Sequence, residues 1–165
     1  MTSIGPPREL FVHELGDILY VEQKLTDEVL PKLIAEVHDG EFRKGLERHL
    51  EQTRGHVTNL EQVFDTLGEN PRAEECIGFE GLRKEHDELA REVTDDLVDL
   101  VDAGAAARTE HYEIAAYSGL IEMARALGES EAVSLLEENL KDERETLREV
   151  ESVTKKLRDE TKATI

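Results

Sequence analysis

Apolar residues recur at three- and four-residue steps along almost the whole chain, and no run alternates apolar with polar residues between turn residues. That spacing lines one face of an α-helix and does not suit a strand, so the fold must be all-α. The first stripe runs Phe11, Leu15, Ile18, Glu22, Leu25, Val29, and the second Phe42, Leu46, His49, Thr53, His56, Leu60, Val63, Leu67. The third reads Ala106, Glu110, Glu113, Tyr117, Leu120, Ala124, Leu127, and the fourth Val133, Leu136, Leu140, Glu143, Leu147, Val150, Leu157. Punctuation separates them. Pro6 and Pro7 suit a helix start, Pro31 predicts a kink or a boundary, and Asp39-Gly40 predicts a stop with a tight turn. Gly68 and Gly128 end the second and third helices, and Ser130 is the expected N-cap of the fourth.

Two short turns, at Asp39-Gly40 and Gly128-Glu129, imply antiparallel hairpins. Residues 69 to about 93 form one long connection, with a shorter helix expected near Phe79 to Val93. Four helices with a single long crossover make a ferritin-like bundle, and 165 residues suffice for one such domain over 1–165. With 38% hydrophobic residues, 4% aromatic and no tryptophan, its core must be aliphatic.

Charge narrows the function. Thirty-nine acids against twenty Lys and Arg give a net charge of −19. That field repels phosphate, which argues against nucleic acid or an anionic membrane as a partner. No apolar run approaches the ~20 residues of a membrane span. Met1 to Leu10 lacks a leader pattern, so a cytoplasmic protein is expected. The spread of acids over every segment suggests a salt-loving source. A single cysteine, Cys76, rules out an internal disulfide.

Each stripe carries ionisable groups where leucine would serve: Glu22, then His49 and His56 with Thr53, then Glu110 and Glu113, then Glu143. Glu110 and Glu113, three apart, share a face. Four buried carboxylates would each cost several kcal/mol and would repel one another. Two divalent cations would neutralise them, and carboxylate with imidazole suits iron or manganese. The bland alternative is protonated or water-linked side chains at an open bundle end.

The segment Glu110-His111-Tyr112-Glu113 followed by Tyr117 resembles the third-helix signature of rubrerythrin-type proteins. More broadly, LFVHELGDILYVEQKL (Leu10–Leu25), HLEQTRGHVTNLEQVF (His49–Phe64), EHYEIAAYSGL (Glu110–Leu120) and LLEENLKDERETL (Leu135–Leu147) resemble the YciE/YciF family of ferritin-like stress proteins. The resemblance implies a dimeric bundle linked to stress, with metal ligands at Glu22, Glu110, Glu113, Glu143 and His56. Two positions depart from the family's pattern: Thr53 stands where the second-helix Glu belongs, and Thr146 where the fourth-helix His belongs. His49, one turn before Thr53, is the substitute ligand, with Glu51 weaker because it lies off the stripe. The expectation is one or two iron or manganese ions, serving metal binding or Fe(II)/peroxide chemistry. Its rival is a metal-free bundle acting as a structural or interaction module.

Overall fold

The computed structural model describes residues 4–162. Helix α1 (Pro7–Lys24) begins with Pro7 in its first turn, where a missing N–H costs nothing. It passes through a π-helical turn, Leu25–Val29, into α2 (Leu30–Glu36). Pro31 therefore does not end the rod. Pro31 lacks an N–H and its ring crowds the carbonyl one turn back, and the wider turn just before it, closed by Leu30 N–H to the Leu25 carbonyl, accommodates both.

Asp39 acts as a start signal. Its carboxylate caps α3 (Gly40–Thr66), accepting from the N–H groups of Glu41 and Phe42 at 3.1 and 2.8 Å. The crossover carries α4 (Ile77–Glu92), close to its expected place. Helix α5 (Asp95–Leu127) ends at Gly128 in the left-handed region, φ 79°. Ser130 is the first residue of α6 (Ser130–Lys162) and not its cap: the Glu129 carbonyl already accepts from Val133 N–H at 3.0 Å.

Helix α5 packs on α6, α6 on α3, α3 on α1, and α1 on α5, which closes a four-helix ring; α4 lies outside against α5. This is the ferritin-like arrangement with its extra crossover helix. The crossover is pinned across α1 where Glu74 N–H donates to the Gly16 carbonyl at 2.9 Å. A Cβ on Gly16 would sit 2.8 Å from the Arg72 carbonyl oxygen, so only glycine allows that approach.

Phe11, Leu15, Leu60, Phe64, Ala124 and Leu136 fill one part of the interior, each fully buried. The second stripe is buried at all eight predicted positions. The fourth is buried at five of its seven predicted positions; Thr146 is buried where Leu147 was expected, and Val133 is only half-buried. Among the described residues no helix is long and apolar enough to cross a membrane.

Candidate metal centre

Helix α1 supplies Glu22, α3 supplies His49 and His56, α5 supplies Glu110 and Glu113, and α6 supplies Glu143. Two turns separate the histidines and three residues separate the α5 acids, so each pair shares a face. All six side chains belong to residues no more than 3% exposed. They form two overlapping groups: His49 with Glu110, Glu113 and Glu143, and Glu22 with His56 and Glu143. In each group one ligand atom per residue lies within 4.8 Å of all the others. Glu143 belongs to both, the place a bridging carboxylate would take.

The His56 half is densely wired. His56 Nδ1 lies 2.9 Å from Glu143 Oε1 and 3.3 Å from Glu22 Oε1, while its Nε2 faces Asp142 Oδ2 at 3.4 Å. The Tyr117 hydroxyl donates to Glu22. Asn139 Nδ2 donates to the Tyr117 oxygen at 3.1 Å and to the His56 carbonyl at 3.3 Å, and Asn59 donates to Asn139 at 2.8 Å. The His49 half is sparser. His49 Nε2 lies 3.2 Å from Glu110 Oε1, and its Nδ1 meets the Thr146 hydroxyl at 3.2 Å.

Both motif departures acquire roles. Thr53 donates to the His49 carbonyl, back along its own helix, at 2.8 Å. Thr146, at the family's fourth-helix His position, orients the histidine that α3 supplies instead. Glu51 is exposed and pairs with Arg54, away from the centre. Asp142, Asn139 and the orienting role of Thr146 were not foreseen from sequence. Asp142 gave one signal, its position beside Glu143. His86 is half-buried and pairs with buried Asp102 at 2.7 Å.

Several inward atoms lack an aligned hydrogen bond among the described residues: Glu22 Oε2, Glu110 Oε2, both oxygens of Glu113 and of Glu143, His49 Nε2 and His56 Nδ1. The close His56–Glu143 contact is thus one of proximity, not of aimed donor and acceptor. Burial raises all four carboxyls above their ordinary range. Burial, with the charge of Glu22 adding to it, lifts Glu110 to about 8; burial, with the charges of Glu143, Glu22 and Glu110 adding to it, pushes Glu113 well above its usual value. His56 opposes the rise at Glu22 and Glu143. Burial presses His56 down, but Glu22 and Glu143 outweigh it and hold the imidazolium up to about 11. Burial presses His49 down, which favours the neutral, ligating form. Such an interior needs either protons or cations.

A family model described as Domain of unknown function (DUF892) matches residues 6–163. The chain belongs to the DUF892 family. Protein YciF of Escherichia coli (strain K12) is 32% identical to this DUF892 chain over 140 residues, 84% of either protein. Two solved structures are also similar. YcfI of Rhodopseudomonas palustris, provisionally named a structural protein, superposes with a TM-score of 0.87 at 37% identity, over 90% of this chain and 95% of that one. The E. coli stress protein YciF superposes with a TM-score of 0.85 at 29% identity, over 96% and 99%. These matches establish the YciE/YciF resemblance carried by the four sequence segments. A Xanthomonas campestris protein, at 21% identity and a TM-score of 0.72, shares the fold.

Proposed function

We propose that this DUF892 protein holds one or two iron or manganese ions among Glu22, His49, His56, Glu110, Glu113 and Glu143, for metal binding or Fe(II)/peroxide oxidation chemistry under stress. The observation that carries the reading is the set of inward, buried oxygens and ring nitrogens without aligned partners, converging from four helices. Four carboxylates balance two divalent cations, and the donor set of hard oxygens with two imidazoles suits iron or manganese. A bound ion would supply redox reactivity toward oxygen or peroxide. The chain's own residues position that reactivity. Glu143 spans both groups, Asp142 and Thr146 orient the two imidazoles, and Tyr117 fixes Glu22.

The test is metal content by mass spectrometry after anaerobic loading with Fe(II) or Mn(II) and desalting. At least one equivalent per chain is expected, and less than a tenth overturns the reading. The second reading, a metal-free structural module, draws on Thr53 and Thr146 at the two motif positions and on the internal balance of His56 against Glu22 and Glu143. It expects no retained metal and no loss of stability on chelation. The homodimer implied by the family resemblance belongs to the same proposal and is checked by light scattering.

A further inference from the structure

A cavity of about 310 Å³ opens off the His49 half of the centre. Its walls come from α2, α3, α4, α5 and α6, with Leu33, Phe42, Leu46, Phe79, Leu82 and Val150 among the apolar residues that line it. Ala105, Ala106 and Gly45 leave open the space that larger side chains would close. Exposed Glu41, Arg48 and Glu149 stand at the mouth, while buried His49, Glu110 and Thr146 stand at the inner end. Along α3, Phe42 to His49 spans about 10 Å, and along α6 Thr146 to Val153 spans the same, so the space is elongated along the bundle axis. Close-packed interiors rarely leave such a void. It is about twice the ~150 Å³ apolar cavity that takes up benzene, and it reaches the lower end of ligand pockets.

Charge selects the occupant. The inner end faces Glu110 with Glu113 and Glu143 behind it, and the whole chain carries −19. The cations nearest the mouth are already matched: Arg48 pairs with Glu149 at 2.8 Å, and Arg83 with Glu28 and Glu80 at 3.0 Å each. An anionic head group therefore finds no free counter-charge there. We propose that this cavity binds a neutral, medium-chain aliphatic molecule, its inner end lying beside His49 and Glu110. That this end adjoins a metal ion rests on the proposed function; occupation of the cavity does not.

The experiment titrates the metal-free protein with N-phenyl-1-naphthylamine, a neutral apolar fluorophore, and then displaces it with 1-alkanols of increasing length. Saturable binding at one site is expected. Alkanol affinity should rise about fourfold per methylene and stop rising once the chain outgrows the ~10 Å cavity. Ala106→Leu should abolish binding, and Leu46→Ala should move the break to longer alkanols, so the test survives if the first variant does not fold. Absent saturation, an affinity that climbs without a break, or a break that Leu46→Ala leaves unmoved overturns the inference. Glu113→Gln, which does not line the cavity, separates the two proposals: it should lose the metal of the His49 half, leaving about one equivalent, while fluorophore binding stays within twofold of wild type. Failed metal loading with intact fluorophore binding strikes the proposed function alone. Intact loading without fluorophore binding strikes this inference alone.

Discussion

The two halves of the polar centre are built to different standards. Around His56 nearly every group has a neighbour fixed in turn by another: Asp142 on the ring, Tyr117 on Glu22, Asn139 on Tyr117, Asn59 on Asn139. Among the described residues, His49 has one hydroxyl beside it, from Thr146, and neither oxygen of Glu113 has a hydrogen-bond partner. The difference is also one of charge. The His56 imidazolium stands against Glu22 and Glu143, so that half can balance itself. The His49 half sets three carboxyls around a ring that burial keeps neutral. The densely wired half can balance its charge internally, whereas the sparse half, which opens onto the apolar cavity, is neutralised only by protons or by a cation.

Metal stoichiometry probes that contrast with the largest effect. Glu143 belongs to both groups, so Glu143→Gln should cut retained metal to near zero. Glu113 belongs to one, so Glu113→Gln should leave about one equivalent, held by Glu22, His56 and Glu143. Mass spectrometry of the loaded, desalted variants reads both values. Equal losses would mean the two halves act as one site and the comparison fails.

Stability without metal comes next. The Glu110 carboxyl, raised to about 8, keeps its proton in the folded protein, while the unfolded chain ionises from about pH 4.3. The folded state then binds more protons, so stability falls as pH climbs from about 4.3 through 8. His56 works in the same direction over a higher window. Its contribution is complete below about 6.5 and is lost as pH rises toward about 11. Glu110→Gln should reduce the first slope, to which the raised carboxyls of Glu22, Glu113 and Glu143 also contribute, and keep the second. At pH 8 the metal-free variant should gain about 1–4 kcal/mol, several degrees in Tm for a chain of this size. Thermal melts with chelator between pH 5 and 10 check it; a variant no more stable than wild type at pH 8 would show that the acids of the His49 half are not under strain.

Much of this could be seen in the sequence because the helical period is a strong signal over long segments. All six candidate ligands fall on their stripes, and the turn at Gly128 and the crossover helix lie close to where punctuation put them. The failures have physical causes. Backbone register is invisible in side-chain spacing, so the π turn before Pro31 read only as a kink or boundary. A stripe drifts in phase over 33 residues, which is how Leu147 was placed inward in place of Thr146 and Asn139 was passed over. Asp142 sits at the rim of its own helix and reaches His56 across a helix contact, a tertiary fact. His86 reads as a solvated residue until α4 folds over α5 and brings Asp102 to it. The cavity is an absence of side-chain volume, with no residue pattern to announce it.

The smallest effect is the finest test, because it compares the two orienting groups directly. Partners that fix a ligating histidine are worth about 10–100-fold in metal affinity. Thr146→Val keeps the shape but removes the hydroxyl from His49, leaving a buried ring nitrogen with nothing to meet, and the sparse half offers no replacement. A loss of about tenfold is expected at the His49 position, measured by competition with a chelator. Asp142→Asn should cost less, about two- to threefold at the His56 position. It keeps an oxygen acceptor for Nε2, and its side chain is one-third exposed and screened by water. If Asp142→Asn proves the costlier change, the wiring around His56 is not redundant, and the half with more partners is the more fragile one.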